Sequence, residues 1–299
     1  MDSKKLLNFG SLNIDKVYKV PHFVQPGETL SSDSFTQNAG GKGLNQSIAL
    51  ARAGIKVFHA GKIGHDGDFL RQILVDNGVD TQFLITSDVP SGHAIIQINQ
   101  EGQNCIILFP GANCAISREE ICKTLSAMEK VDYLLLQNEI NDIPFIMEEA
   151  KKRGMKIAIN PAPCSEEVLT YPLHLADIIF VNEVEAATLA GINAEPEVML
   201  AKIVEKFPEA EIIMTFGAKG AYYRNKDKFF HTPCYEAKVV DTTSAGDTFG
   251  GYYMSAVLQG FDVEKAMKIA SYASSITVSR SGAAISIPAA AEVFGKIEL

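Results

Sequence analysis

The chain has 299 residues, 46% of them hydrophobic and 21% charged, with a formal net charge of −9. That length can bury a large core, and the acidic balance argues against nucleic acid or an anionic membrane as partner, since both attract basic surfaces. No apolar run approaches the roughly 18 residues of a spanning helix, MDSKKLLNFG does not read as a secretory leader, and the five cysteines form no CxxC pair, so the expectation is a cytoplasmic protein with reduced, mostly buried thiols and no zinc site.

In chain order, the first apolar run, LLNFGSL, ends in Asn13 and Asp15. Residues 14–38 and 92–110 carry short alternating segments joined by turns such as QPGE and NQEGQ, which predict hairpins. These are expected to join one small antiparallel sheet, a β-rich lid inserted in the N-terminal half; edge strands of a main sheet would give the same pattern. Between them, NAGGKGLNQSIALARAG at 38–54 predicts a tight glycine turn and a helix that stops at Gly54. Lys42 among glycines suggests a P-loop, but GxxxxGK[ST] is not met, because Gly43 follows the lysine. No GxGxxG follows the first strand either, which weighs against a nicotinamide dehydrogenase. The stretch is thus either a plain turn or a backbone wall for a small polar ligand, with Lys42 and Asn45 as donors.

SREE at 117–120 is a capping box for a helix with Ile121, Leu125 and Met128 inside. From about residue 130, the apolar runs VDYLLLQ, KIAIN, DIIFVN and EIIMTF alternate with helical spacing. One helix is expected after Asp142 as N-cap, with Pro144 in its first turn and Ile143, Ile146, Met147 and Ala150 on one face. Strand, helix and strand at this spacing predict a mostly parallel sheet in an α/β fold.

Ligands of such sheets bind beyond the carboxyl ends of the strands. Asn13, Asp15, Glu139, the NPAP stretch at 160–163, Asn182, Glu185, Gly217 and Gly220 all follow strand ends and together suggest a polar cleft, although each alone is compatible with an ordinary loop or cap. In DTTSAGDTFGGYYM at 241–254, Thr242, Thr243 or Ser244 can cap a helix that stops at Gly260, with Asp247 in its first turn. The small residues before Asp247 also leave first-turn amides open to a phosphate. A carboxylate beside them can accept the proton of an attacking hydroxyl.

Those two glycine-rich stretches, with GSLNID, GANCAIS, NPAP, FVNEVEA, TFGAKGAYY and SRSGAAISIP in order, resemble the signatures of the ribokinase-like (PfkB) carbohydrate kinases over essentially the whole chain. The resemblance implies a three-layer α/β sandwich with a β-rich lid. It implies transfer of the ATP γ-phosphate to the 5-hydroxyl of D-ribose, with deoxyribose, a ketohexose or a nucleoside as alternative acceptors. Asn13, Asp15, Gly41, Lys42, Gly43, Asn45 and Glu139 would hold the sugar. Asp247 would be the base, with Ala245 and Gly246 giving anion-hole amides. Asn182 would face the nucleotide phosphates, and Glu185 would organise water around Mg²⁺. Thr215, Phe216, Gly217, Ala218, Lys219 and Gly220 would lie along the nucleotide, with Ser271 near the adenine. An activating K⁺ would be held by Asp241, Thr243, Thr277, Arg280, Gly282 and Ser286, several through carbonyl oxygens. The lid would pair two chains as a homodimer. Leu44 stands where the family commonly has Ala, and the expectation is a narrower sugar pocket.

Overall fold

The computed structural model describes residues 5–128 and 131–297, so the first four residues of the opening MDSKKLLNFG lie outside the described ones. The strands are β1 (Lys5–Phe9), β2 (Asn13–Lys19), β3 (Ser34–Gly40), β4 (Lys56–Gly64), β5 (Asp80–Ser87), β6 (Gly92–Ile98), β7 (Asn104–Phe109), β8 (Tyr133–Gln137), β9 (Lys156–Asn160), β10 (Ile178–Val181), β11 (Glu211–Thr215), β12 (Ala221–Arg224) and β13 (Phe229–Thr232). The helices are α1 (Lys42–Arg52), α2 (Asp68–Asp76), α3 (Arg118–Ala127), α4 (Ile143–Lys152), α5 (Glu183–Ala190), α6 (Pro196–Lys206), α7 (Ala245–Leu258), α8 (Val263–Val278) and α9 (Ala290–Val293).

The main sheet has the order β13-β12-β11-β10-β9-β8-β1-β4-β5. From β11 to β5 every pair is parallel, and β12 and β13 close one edge antiparallel. Buried parallel strands are apolar on both faces, which is why their sequences read as unbroken apolar runs. In β1, Leu6 joins the core that includes α1, α7 and α8, while Leu7 and Phe9 join the core that includes α3, α4, α5 and α6. Helices thus cover both faces of the sheet, a three-layer α/β sandwich as the resemblance implies.

Stretches 14–38 and 92–110 supply a separate second sheet, β3-β2-β6-β7, not edge strands of the first. Its two hairpins are antiparallel, but β2 and β6 pair in parallel, Asn13 opposite Gly92, which corrects the expectation of a wholly antiparallel sheet. The reason lies in the connections: β2 continues from β1 and β6 from β5. Those parallel strands deliver both chains in the same direction. Ile106, Ile107, Leu108 and Phe109 of β7 are exposed.

The cysteines correct a second expectation. Cys105, Cys114 and Cys234 are exposed and Cys122 and Cys164 half-buried; all are free thiols. Cys105 lies on the uncovered β7, Cys114 ends a short 3₁₀ turn (Gly111–Cys114) and Cys234 lies in a loop, all at the surface.

Local caps decide several helix starts. Ser117 and Glu120 form the full capping box of α3. Asp142, however, precedes α4 in the left-handed conformation (φ 58) and makes no capping bond; its carboxylate accepts instead from Arg118 and Asn141. On α7 the apolar run after Asp247 serves as an anchor. Phe249, Tyr252, Tyr253 and Met254 are buried, and burial stabilises each by about 2–3 kcal/mol. The two tyrosine hydroxyls donate to Pro288 O at 2.8 Å and to Glu211 Oε2 at 3.2 Å. Two adjacent tyrosines thereby tie the helix carrying Asp247 to Pro288 and to Glu211.

Candidate active site

The carboxyl ends of β8, β9, β10 and β11 and the N-termini of α1, α5 and α7 open on one cavity of about 1380 Å³. Asn13, Asp15, Gly41, Lys42, Asn45, Glu139, Asn182, Glu185, Thr215, Asp241, Thr243, Ala245, Gly246, Asp247 and Gly282 line it. Side chains more than 200 residues apart in sequence therefore share one wall.

Asp247 is 7% exposed. Its Oδ2 accepts from Asn45 Nδ2 at 3.0 Å and its Oδ1 from Gln46 Nε2 at 2.9 Å. Both donors are neutral amides, so the carboxylate is oriented while no bonded cation neutralises it. The nearby Lys42 ammonium holds its proton more firmly than usual, chiefly because of the Asp247 charge. The first intrahelical bond of α7 runs from Thr248 N to Ser244 O at 2.8 Å, and Ala245 N leans on Thr242 O at 3.3 Å. The first-turn amides left open are thus those of Gly246 and Asp247, one residue later than the expected pair. Ser244 precedes the helix at φ 62, and its buried hydroxyl has no partner. No side chain of Thr242, Thr243 or Ser244 caps α7, because the left-handed turn at Ser244 carries the hydroxyl away from the amides it was expected to meet.

The other end of the cavity is built on carboxylates and amides. Asn113, from GANCAIS, clamps the β1–β2 connection: its Oδ1 accepts from Leu12 N at 3.0 Å, and its Nδ2 donates to Leu12 O at 3.1 Å and Asn13 Oδ1 at 2.8 Å. Asn13 is left to offer its amide hydrogens. Glu139 Oε2 accepts from Lys42 N at 2.9 Å and from the Ser11 hydroxyl. Asp15 is pushed up to about 6 by burial first and the Glu139 carboxylate second, and burial also raises Glu139. Asn45 Oδ1 is a buried acceptor with no partner in the protein. Unpaired acceptors, half-desolvated carboxylates and free amide hydrogens suit a ligand covered in hydroxyls.

Gly41 holds φ 96 before α1, and a Cβ on Gly43 would lie 2.4 Å from Ser11 N. Gly43 therefore lets α1 press on the β1–β2 connection and does not itself line the cavity. Leu44 is fully buried in the α1-side core and also lines no cavity, so the expected narrowing of the pocket is not seen. The helical turn directs it to the opposite side from Asn45.

On the remaining wall, Asn182 is the N-cap of α5: its Oδ1 accepts from Val184 N and Glu185 N, both at 2.9 Å. Glu185 answers by accepting from Asn182 N at 2.9 Å, and burial raises its carboxyl. Of the TFGAKG turn, Thr215 lines the cavity, and Phe216, Gly217, Ala218, Lys219 and Gly220 continue beyond it. Cys234 Sγ donates to Ala218 O and Ser271 Oγ to Pro233 O, which brings Ser271 to the same turn. Asp241 accepts from Thr243 N at 2.9 Å and Gly282 N at 3.0 Å, joining two loops. Thr277 Oγ1 is spent on Thr248, Ser286 Oγ on Ala283 O, and the Arg280 side chain on Glu292. These side chains are thus occupied, and the Thr277 carbonyl also accepts from Arg280 N at 3.1 Å.

A family comparison decides the class. The model of the pfkB family carbohydrate kinases matches residues 3–290. The chain belongs to this family. It is therefore an ATP-dependent carbohydrate kinase, and its two glycine-rich signatures lie on the two helices, α1 and α7, that meet at Asp247. The bifunctional ribokinase/ribose-5-phosphate isomerase A of Fructilactobacillus sanfranciscensis is 38% identical over 296 residues, 95% of this chain, which spans 54% of that relative. The ribokinase of Haemophilus influenzae is 35% identical over 306 residues, 99% of each chain. The ribokinase of Cryptococcus neoformans in complex with ADP superposes with a TM-score of 0.89 at 32% identity, covering 99% of this chain and 100% of that one.

Gln46, Asn113, Ser11 and Asn160 are site residues that sequence reading did not single out. Each lies inside a motif named above (GSLNID, NAGGKGLNQSIALARAG, GANCAIS and NPAP), but only Gln46 adjoins a residue named for the site, Asn45. What separates them is long-range pairing, which no local pattern encodes.

Proposed function

We propose that this kinase transfers the γ-phosphate of ATP to the 5-hydroxyl of D-ribose, giving D-ribose 5-phosphate and ADP. The observation that carries the reading is one buried carboxylate, Asp247, held by two neutral amides beside open helix amides, in the cavity that also contains Asn13, Asp15, Asn45 and Glu139. The ribokinases among its relatives support the choice of sugar.

Asp15 and Glu139 accept hydrogen bonds from sugar hydroxyls, Asn13 donates to an oxygen, and Lys42 and Asn45 complete the pocket with the Gly41 turn. The 5-hydroxyl gives its proton to Asp247 as its oxygen bonds to the γ-phosphorus and the bond to the ADP oxygen breaks. The Gly246 and Asp247 amides meet the charge on the transferred group. Asn182, the TFGAKG turn and Ser271 flank the nucleotide.

Among the described residues no cluster of three or more His, Cys, Asp or Glu side chains could hold a metal ion, so an all-protein Mg²⁺ cage is not the fitting arrangement. Glu185, a buried carboxylate on the wall formed by α5, fits an ion that arrives with the nucleotide and keeps its waters. When bound, Mg²⁺ supplies charge neutralisation on the phosphates. The oxygen-rich meeting of Asp241, Thr243 and Gly282, with the carbonyls of Thr277, Arg280 and Ser286, fits a K⁺ ion that stiffens the loop leading into α7. The second sheet is proposed as a lid over the sugar that pairs with a second copy through its exposed apolar strand β7. The cytoplasm is the proposed location; no helix of the described residues is long and apolar enough to cross a membrane.

A coupled ADP-release assay over ribose, deoxyribose, fructose and nucleosides tests the reading, and the highest kcat/KM is expected on ribose. Activity on nucleosides with none on any free sugar overturns it.

A further inference from the structure

Asp247 is oriented from below by a chain of buried amides that no substrate contact explains. Gln46 Nε2 donates to Asp247 Oδ1 at 2.9 Å and reaches Asn160 Oδ1 at 3.4 Å. Gln46 Oε1 accepts from Gln137 Nε2 at 2.6 Å, and the second Gln137 hydrogen goes to Asn8 Oδ1 at 3.0 Å. Asn8 Nδ2 then spends its hydrogens on Gly43 O at 2.7 Å and Ser47 Oγ at 2.8 Å, and Ser47 shares a 2.8 Å bond with His59 Nδ1. Asn8, Gln46, Gln137, Ser47 and His59 are all buried.

Each link fixes the next. Both hydrogens of Asn160 Nδ2 face acceptors, Phe180 O at 3.1 Å and Glu185 Oε2 at 3.4 Å, so its Oδ1 must be the acceptor toward Gln46. Gln137 must present its NH₂ group to two carbonyl oxygens. Flipping either glutamine would set oxygen against oxygen. The arrangement also has a stability penalty: Gln137 Oε1 is buried without a partner. At that site, among Leu134, Leu135 and Leu136, an apolar side chain would suit the core better. A polar network kept at such a cost in the sheet interior points to a use outside stability.

We propose that Gln46, itself oriented by Gln137 and Asn160, is the positioning residue that aims the Asp247 carboxylate at the acceptor hydroxyl and ties it to Glu185 across the cavity. The inference rests on Asp247 being the proton acceptor, as proposed above. Gln46 touches the reaction through Asp247, so its removal acts on turnover and leaves sugar affinity in place.

The test compares Gln46→Met, Gln137→Met and Asp247→Ala, and the double variant Gln46→Met/Asp247→Ala, by steady-state kinetics on ribose and ATP, with thermal melts to confirm folding. Gln46→Met is expected to lower kcat about 10- to 100-fold with the ribose KM within about threefold, and Gln137→Met about 3- to 10-fold in the same way. In the Asp247→Ala background, Gln46→Met is expected to change the residual rate less than about twofold, because the group it serves is gone. A purely structural role would not vanish in that background. A kcat within threefold of wild type in folded Gln46→Met overturns the proposal, as does a full multiplicative loss in the double variant. If Gln46→Met does not fold, Asn160→Ala, at a half-buried position, takes its place in both comparisons, with a loss of about 3- to 10-fold expected and an unchanged kcat overturning. Asp247→Ala turning over within threefold of wild type instead sinks the reading of Asp247 itself, a result distinct from either outcome for Gln46.

Discussion

Asp15→Asn should make this protein more stable and a poorer sugar binder at the same time. Burial, aided by the Glu139 carboxylate, lifts the Asp15 carboxyl from 3.8 to about 6. A group whose pKa is higher folded than unfolded binds more protons in the folded state, so its contribution to stability is complete below the unfolded value and is lost as the pH rises through the folded one. The gap of about two pH units corresponds to about 3 kcal/mol, and the part of Asp15 that water still reaches reduces this to a working range of about 1–3 kcal/mol. At pH 7.5 the ionised carboxylate is therefore held against folding by that amount. The asparagine carries no such charge. It should unfold in urea at a higher midpoint than wild type at pH 7.5, and the advantage should fade as the pH falls through about 6 and be gone below about 4.

The ionised oxygens are what the sugar hydroxyls donate to, and hydrogen bonds to a charged group contribute about 1.5–3 kcal/mol. Titration calorimetry with D-ribose should find Asp15→Asn about 10- to 100-fold weaker at pH 7.5. Wild type should itself bind about tenfold more weakly at pH 5 than at pH 7.5, since about nine-tenths of Asp15 is protonated at the lower value. An Asp15→Asn protein less stable than wild type at pH 7.5, or wild-type affinity flat between those pH values, refutes the reasoning.

Asp247→Ala should lower kcat at least about 100-fold on ribose, with sugar affinity by calorimetry preserved; a rate within threefold of wild type excludes it as the base. Ser244→Gly relieves a left-handed backbone that costs an L-residue about 1 kcal/mol, and should raise the melting temperature by about 2 °C; an unchanged or lower value shows the turn is not strained. Replacing K⁺ by a large organic cation should depress kcat without a change in the circular dichroism spectrum, and an unchanged rate removes the assigned site.

Much of the fold could be read from sequence because the rules that set it are local. Apolar runs mark buried parallel strands, and Ser117 with Glu120 marks a helix start, since the physics of each is contained within a few residues. The site was legible where chemistry and local structure coincide: Asp247 follows two small residues at a helix entrance, and Gly41 precedes Lys42 at another. What escaped has a common cause. Asn8 and Gln137 each interrupt or end an apolar strand, where a single amide looks like a strand boundary. Their meaning comes from partners 129 residues apart, just as Asn45 meets Asp247 across 202. Ser244 escaped differently, because a serine before a helix favours an ordinary cap, and the left-handed turn that overrules it is imposed by the loop pinned through Asp241 to Thr243 and Gly282. The same loop contains the proposed cation site. If an ion binds there, it acts on the backbone that sets the first turn of α7, so losing it should misplace the Gly246 and Asp247 amides before it disturbs the sugar end of the cavity.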